Sequence, residues 1–201
     1  MSKVTVFLSG IATAMALVSS PAATADEIEA VLAHPPFGVY YICGEHAQGQ
    51  LEHQGDALGT DCMIAELVTV DGRTWPRLYA GDGTSNDQWF SWRAPVHSPC
   101  DCEVVRVNDN PVVNEPGVLG EPPASFVILR RDDGVQFLLA HIQEPSVEVG
   151  SRVKYGQAIA LVGNNGYGRN PHVHVGAWKG KTALQLRWDQ RFMAGAKAAA
   201  R

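Results

Sequence analysis

The chain has 201 residues, of which 45% are hydrophobic and 18% are charged, which is ordinary for a soluble globular protein with one sizeable core. A formal net charge of −5, without a basic patch, excludes the electrostatic surface that nucleic-acid binding requires. No segment after the N-terminal region is long and apolar enough to cross a membrane, so we expect no stable membrane insertion of the mature chain.

The first 25 residues have the layout of a secretory signal peptide. Lys3 is followed by an apolar run from Val4 to Val18 and by a small-residue end, Ala23-Thr24-Ala25. An uncleaved anchor is disfavoured because this run is shorter than the roughly 20 residues that span a bilayer. The sequence predicts a signal peptide at residues 1–25, a single mature domain at residues 26–201, and an exported, periplasmic or secreted, location.

Short strand signals separated by Gly, Pro and Asn breaks follow along the mature chain. A helical candidate over Asp26 to Leu32 precedes them, and Asp132-Asp133-Gly134 predicts a hairpin. The tail from Leu184 to Ala200 is a second helical candidate. The predicted strands cover residues 38–42, 62–70, 103–107, 125–130, 135–141, 158–162 and 173–178. This pattern predicts a mostly β fold, a small antiparallel sheet or sandwich with long loops and a short C-terminal helix.

The chain contains four cysteines: Cys43, Cys62, Cys100 and Cys102. An even number in an exported protein favours disulfides over a zinc–thiolate site, which would usually show two Cys-x-x-Cys pairs. Three connectivities are possible, and the sequence does not choose among them.

The motif Pro171-His172-Val173-His174-Val175 is the most informative stretch for chemistry. Histidines at i and i+2 of a strand point out of the same face, with Cα atoms roughly 6.5–7 Å apart. Both imidazoles can converge on one divalent metal, or one can bind it while the other transfers protons beside it. Spacing alone does not tell His172 from His174 as a ligand.

From Asp101 onward the order of motifs resembles the lysostaphin-like (LytM-type) zinc metallopeptidases. The resemblance is carried by Leu139-Ala140-His141-Ile142, by the Val-x-Val-Gly-x-x-Val-x-x-Gly-Gln pattern of residues 147–157, and by Pro171-His172-Val173-His174. With Ala94-Pro95 and the residues after them, the core match covers about residues 94–178. The resemblance implies an antiparallel β fold with a zinc site in a groove and cleavage of peptidoglycan peptides.

The resemblance also implies a set of three zinc ligands. Asp61 and His174 match two of them, and His53 and His46 compete for the third. We prefer His53, because His46 requires a fifteen-residue excursion before the chain returns to the same metal. Two neutral imidazoles and one carboxylate fill three corners of a zinc tetrahedron and leave the fourth for water.

His141 and His172 match the two active-site positions of the family that do not bind zinc. The resemblance assigns them to proton transfer and to stabilisation of the developing oxyanion, for which imidazole is suited because it titrates near neutral pH. Cys102 stands where relatives usually have a turn glycine, which suggests a Cys100–Cys102 disulfide that holds this turn.

The sequence predicts an exported zinc metalloendopeptidase that hydrolyses peptidoglycan peptide bonds through zinc-activated water. The alternative is a non-catalytic module of the same type, which binds cell-wall peptides or activates another wall hydrolase. The bond that is cleaved and the oligomeric state are left open.

Overall fold

A computed structural model of the chain describes residues 27–193, so the predicted signal peptide lies outside the described residues. Within this range nearly all of the regular secondary structure is β-strand, which confirms the predicted fold class. A short 3₁₀ helix covers Asn86–Gln88. The remaining elements are β1 (Ala30–Ala33), β2 (Tyr41–Glu45), β3 (Thr60–Ile64), β4 (Glu66–Val70), β5 (Arg73–Arg77), β6 (Pro95–His97), β7 (Cys102–Asn108), β8 (Phe126–Arg131), β9 (Val135–Ala140), β10 (Ile142–Gln143), β11 (Arg152–Val153), β12 (Ala158–Val162), β13 (Val173–Lys179), β14 (Thr182–Trp188) and α1 (Gln190–Met193).

Nine strands form the main sheet, and β13 is its most buried strand. Strand β9 pairs antiparallel along one edge of β13. The other edge is divided, because β3 pairs with residues 173–175 and β14 pairs with residues 177–179. Strands β8, β7 and β11 extend the sheet beyond β9, β2 extends it beyond β3, and β1 adds a parallel strand to β14. Two smaller sheets, β10-β12-β6 and β4-β5, complete the described β-structure.

The core lies on one face of this sheet because side chains alternate along each strand. Val127, Leu139 and Val175 form a row across β8, β9 and β13, and all three are buried. The neighbouring row across the same strands has the opposite orientation and includes Ala140 and His174. The core valines of β13 therefore fix the direction in which His174 points.

Both terminal elements differ from the sequence prediction. The helix expected over residues 26–32 is wrong, since Ala30–Ala33 is a strand in which Val31 and Ala33 are buried and Leu32 is 53% exposed. The helix expected from Leu184 is also wrong at its start, because β14 runs to Trp188 and α1 begins only at Gln190. In each case pairing between β1 and β14 satisfies the backbone and overrides local helical propensity. The rest of that prediction, residues 194–200, lies outside the described residues.

The strands predicted between residues 103 and 178 are confirmed to within one residue or two at their ends. The hairpin at Asp132-Asp133-Gly134 is confirmed as the turn between β8 and β9, with Gly134 at φ 87°. The single strand predicted over residues 62–70 is instead two strands, separated at Ala65, whose N–H donates to the Tyr40 carbonyl.

The structure resolves the disulfide connectivity. Cys43 and Cys62 are bonded and are direct cross-strand partners in the β2–β3 pair. Cys100 and Cys102 are bonded as well, which confirms the disulfide expected at that turn. Among residues 27–193, no helix has the length and hydropathy needed to span a bilayer.

Candidate metal centre

Strands β3 and β13 place Asp61 directly opposite His174. Opposite residues of an antiparallel pair point to the same face of the sheet, so the two side chains meet. Asp61 Oδ1 lies 2.9 Å from His174 Nδ1. Two residues that are 113 positions apart in the chain are thus brought into contact by sheet pairing.

The β2–β3 pair brings His46 to the same place. Gly44 is the cross-strand partner of Asp61, and the pairing continues beyond β2, where the His46 N–H donates to the Gly59 carbonyl at 2.8 Å. His46 lies two residues beyond Gly44 and therefore faces the same side as Asp61. Its Nε2 is 3.3 Å from Asp61 Oδ2.

The structure does not bring His53 into this cluster. His53 is exposed in the loop of residues 46–59, where its carbonyl accepts hydrogen bonds from the N–H groups of Asp56 and Ala57. The preference for His53 assumed that a fifteen-residue excursion would carry His46 away. The excursion is instead a hairpin loop whose two ends pair with each other. A disulfide between Cys43 and Cys62, had it been assumed, would have set this register from the sequence.

Within residues 27–193, His46, Asp61 and His174 form the group whose donor atoms are close enough to share a metal, all within 4.8 Å of one another. The hydrogen bonds of the two imidazoles suit this role. His174 Nε2 lies 2.8 Å from the Gly55 carbonyl, and His46 Nδ1 lies 3.4 Å from the Asp56 carbonyl. Each ring gives one N–H to the loop and turns its other nitrogen towards Asp61, as a metal ligand must.

The electrostatics of the metal-free cluster place a proton where a cation would bind. Burial alone raises the pKa of the Asp61 carboxyl, but the hydrogen bond from His174 and the nearby imidazoles hold that pKa well below its usual range. Burial lowers the pKa of His174, but its hydrogen bonds with Asp61 and the Gly55 carbonyl outweigh burial and raise it. The donor set, two imidazoles and one carboxylate, fits zinc.

His141 and His172 lie beside this cluster and line the same cleft. Their ring centroids are 4.4 Å apart, and His172 Nε2 is 3.9 Å from Asp61 Oδ1. His141 Nδ1 lies 2.8 Å from the Asn165 carbonyl, and His172 Nδ1 lies 2.7 Å from the Asn170 carbonyl. With Nδ1–H donated to the backbone, each ring keeps an unprotonated Nε2.

Burial keeps both of these imidazoles neutral. It lowers the pKa of His141 to about 3, helped by the neighbouring His172, and it also lowers the pKa of His172 despite the nearby Asp61 carboxylate. A neutral imidazole with a fixed Nδ1–H presents an unprotonated Nε2 that can accept a proton. A pKa of about 3 makes His141 a weak base in this environment, since general-base catalysis is most efficient when the pKa lies near the working pH.

The five side chains open into a cleft of about 430 Å³. Its walls are mostly apolar, and Tyr167, which is 68% exposed, stands at its rim. The apolar lining residues are Leu51, Pro122, Ala124, Phe126, Leu138 and Ala140. The cleft therefore combines a small polar centre with an apolar surface, as in sites that bind and process small ligands or peptides.

The fold and the cluster define a mainly antiparallel β protein with a candidate metal centre of two imidazoles and a carboxylate. Residues 90–186 match the model of peptidase family M23. This match confirms the resemblance to lysostaphin-like peptidases. The matched segment contains His141, His172 and His174, whereas His46 and Asp61 precede it.

Several solved structures are similar in fold. The catalytic domain of lysostaphin from Staphylococcus simulans is 19% identical, with 76% of this chain and 86% of that chain covered and a TM-score of 0.41. The catalytic domain of the prophage-encoded M23 protein EnpA from Enterococcus faecalis is 17% identical, with coverages of 75% and 92% and a TM-score of 0.48. A zinc-containing peptidase from Vibrio cholerae is 16% identical, with coverages of 71% and 50% and a TM-score of 0.38. No curated protein matches the sequence significantly.

Proposed function

We propose that this protein is an exported zinc metalloendopeptidase that hydrolyses peptide bonds of peptidoglycan, with His46, Asp61 and His174 as its zinc ligands. The observation that carries the proposal is the convergence of three donor atoms within 4.8 Å of one another in a cleft. The match of residues 90–186 to the model of peptidase family M23 supports the reaction class.

His46, Asp61 and His174 would hold the metal, and two neutral imidazoles with one carboxylate would give the bound ion a net charge of about +1. When bound there, zinc would activate water at neutral pH and polarise the scissile carbonyl. Asp61 stays ionised because its pKa is held low, so its carboxylate is available as a ligand at all physiological pH values.

His141 and His172 are the residues that we assign to proton transfer and to stabilisation of the developing oxyanion. Each is neutral and holds its Nδ1–H on a backbone carbonyl, so Nε2 is free to take the proton of the attacking water. The imidazolium that results can donate to the oxyanion or return the proton to the leaving amine.

Export is supported by the two disulfides, which use all four cysteines of the chain. Disulfides of this kind persist in oxidising compartments and are rare in the cytosol. We also propose that the mature protein is one domain, residues 26–201.

The test uses the mature protein purified from an oxidising compartment. We expect about one zinc per chain, hydrolysis of purified cell wall, loss of hydrolysis on chelation, and recovery on addition of zinc. Asp61→Ala should abolish hydrolysis, while Asp132→Ala, which removes an exposed carboxylate paired only with Arg152, should not. Mass analysis of the released muropeptides would identify the bond.

Two results would contradict the proposal. Full hydrolysis by Asp61→Ala would exclude the ligand assignment. A wild-type protein that takes up no zinc under zinc-replete conditions, yet binds wall peptides, would instead support the non-catalytic module.

A further inference from the structure

The loop of residues 46–59 lies directly against β13 at a glycine. A Cβ atom built on Gly176 would collide with the carbonyl group of Gly55, which is backbone and cannot rotate away. Gly176 lies on the same face of β13 as His174, two residues earlier. Glycine at position 176 therefore creates the space in which the loop backbone rests beside the metal ligands.

This close approach brings two consecutive carbonyls of the loop to the two candidate imidazole ligands. The Gly55 carbonyl lies 2.8 Å from His174 Nε2. The next carbonyl, that of Asp56, lies 3.4 Å from His46 Nδ1. Two consecutive backbone carbonyls thus accept hydrogen bonds from the ring nitrogens that point away from Asp61.

Other contacts hold this piece of backbone in place. Gly55 has φ 91°, and a Cβ there would lie 2.8 Å from Leu138 Cδ2 and 3.3 Å from Trp178 Cζ3, so the loop is enclosed from the side as well. A Cβ on Gly59 would lie 2.6 Å from His174 Cε1. Gln54 Nε2 donates to the Gly180 carbonyl at 2.6 Å and ties the loop to the β13–β14 turn.

We infer that the loop of residues 46–59 positions the metal ligands, and that Gly176 and Gly55 are positioning residues because their close contact sets the two carbonyls. This inference rests on the proposed function. The long insertion between His46 and Asp61 then has a positioning role. Its carbonyls are the hydrogen-bond acceptors that fix which nitrogen of each ring faces the metal. Partners of this kind commonly change metal affinity by about 10–100-fold when they are removed.

The experiment compares the zinc dissociation constants of the mature wild-type protein, Gly176→Ala and Gly44→Ala, measured by competition with a chromogenic chelator. Gly44 is a matched control because it lies in β2 opposite Asp61, yet a Cβ there would meet no atom within 4 Å. We expect Gly176→Ala to bind zinc about 10–100-fold more weakly and Gly44→Ala to bind it as tightly as the wild type. Far-ultraviolet circular dichroism and urea unfolding of the metal-free proteins check that each variant is folded.

A second readout separates positioning from a general loss of packing. In the zinc-bound protein labelled with ¹⁵N-histidine, the Nε2–H of His174 should exchange slowly in the wild type and in Gly44→Ala, and faster in Gly176→Ala. If Gly176→Ala does not fold, Gly55→Ala decides, because it displaces the same carbonyl from the loop side and replaces no residue of β13.

Wild-type zinc affinity in a folded Gly176→Ala or Gly55→Ala variant would overturn the inference and leave the proposed function intact. Absence of zinc binding by the wild-type protein would overturn the proposed function itself, and the inference with it. The two failures are therefore distinguishable.

Discussion

At the scale of single residues, the orientation of the His46 and His174 rings decides which nitrogen of each can bind a metal. Both rings place one nitrogen against a loop carbonyl, so the nitrogens that face Asp61 are the ones that would bind a metal once the proton shared with Asp61 has left. His53, in the middle of the same loop, has no such arrangement and is exposed to solvent. His46 and His53, which are seven residues apart in the chain, therefore have different expected roles.

Separate replacement of His46 and of His53 by alanine tests this difference. His46→Ala should weaken zinc binding by roughly 100-fold or more, since loss of a ligand exceeds the effect of losing an outer hydrogen-bond partner. His53→Ala should leave zinc affinity and cell-wall hydrolysis at the wild-type level. Zinc titration of the two purified variants provides the comparison, and the reverse order of affinities would return the assignment to His53.

His141 predicts a pH dependence of stability. Its folded-state pKa is lowered to about 3 by burial, whereas an unfolded histidine titrates near 6.5. Between these values the unfolded chain binds more protons, so the free energy of unfolding should fall as the pH decreases below about 6.5, by at most about 1.4 kcal/mol per pH unit from this residue. His141→Gln should reduce the change in the free energy of unfolding per pH unit.

Urea unfolding of the metal-free wild type and His141→Gln between pH 7.5 and pH 5 measures the effect. Part of the slope should remain in the variant, because burial also lowers the pKa of His172. Equal slopes in both proteins would show that His141 takes up protons alike in the folded and unfolded chains over this pH range.

Of the secondary-structure elements, the β2–β3 hairpin matters most for the candidate site. It carries His46 and Asp61, and the Cys43–Cys62 disulfide joins its two strands at opposite residues. The disulfide lies on the strands that end at the loop and so holds both candidate ligands in register.

Removal of this disulfide should therefore cost both stability and metal affinity. Replacement of Cys43 and Cys62 by alanine opens a loop with a sequence separation of 19, for which loss of the cross-link costs about 3 kcal/mol in the chain-entropy model. Zinc affinity should decrease as well. The matched control replaces Cys100 and Cys102, whose separation is 2, and should retain zinc affinity.

Chemical denaturation and zinc titration of the two double variants distinguish these effects. Unchanged zinc affinity in the Cys43→Ala, Cys62→Ala protein would show that the hydrogen bonds of the β2–β3 pair hold the ligands without the cross-link.

The elements differ in how well local sequence predicts them. Strands β8 and β9 were predictable because alternation and the Asp133-Gly134 turn are encoded within a few residues. Strand β1 was not predictable, because its partner β14 lies about 150 residues away in the chain. A segment of four residues is also too short to show hydrophobic periodicity. His53 was preferred to His46 for the same reason: the position of His46 depends on cross-strand register, which periodicity does not contain.

In the whole molecule, the candidate site joins two parts of the chain. Residues 90–186, which match the model of peptidase family M23, supply His174 and the two flanking histidines. The earlier hairpin supplies the other two candidate ligands through its pairing with β13. A cation held by both parts should therefore stabilise the sheet as a unit.

Zinc should raise the free energy of unfolding by about 2.7 kcal/mol when its free concentration is 100 times the dissociation constant. For a protein of this size that corresponds to an increase in Tm of roughly 5–10 °C. Thermal unfolding with zinc and with a chelator measures the shift. Asp61→Ala should show no shift and Asp132→Ala a normal one, whereas a zinc-dependent shift that survives in Asp61→Ala would indicate binding elsewhere.

The pairing of β3 with β13 has a consequence for biosynthesis. Asp61 leaves the ribosome 113 residues ahead of His174, and nothing holds the two together until the later strand docks beside the earlier one. A growing or unfolded precursor thus lacks a complete coordination sphere. Under the proposed function, such a precursor would be harmless to its own cell, and hydrolytic capacity would arise only after folding is nearly finished.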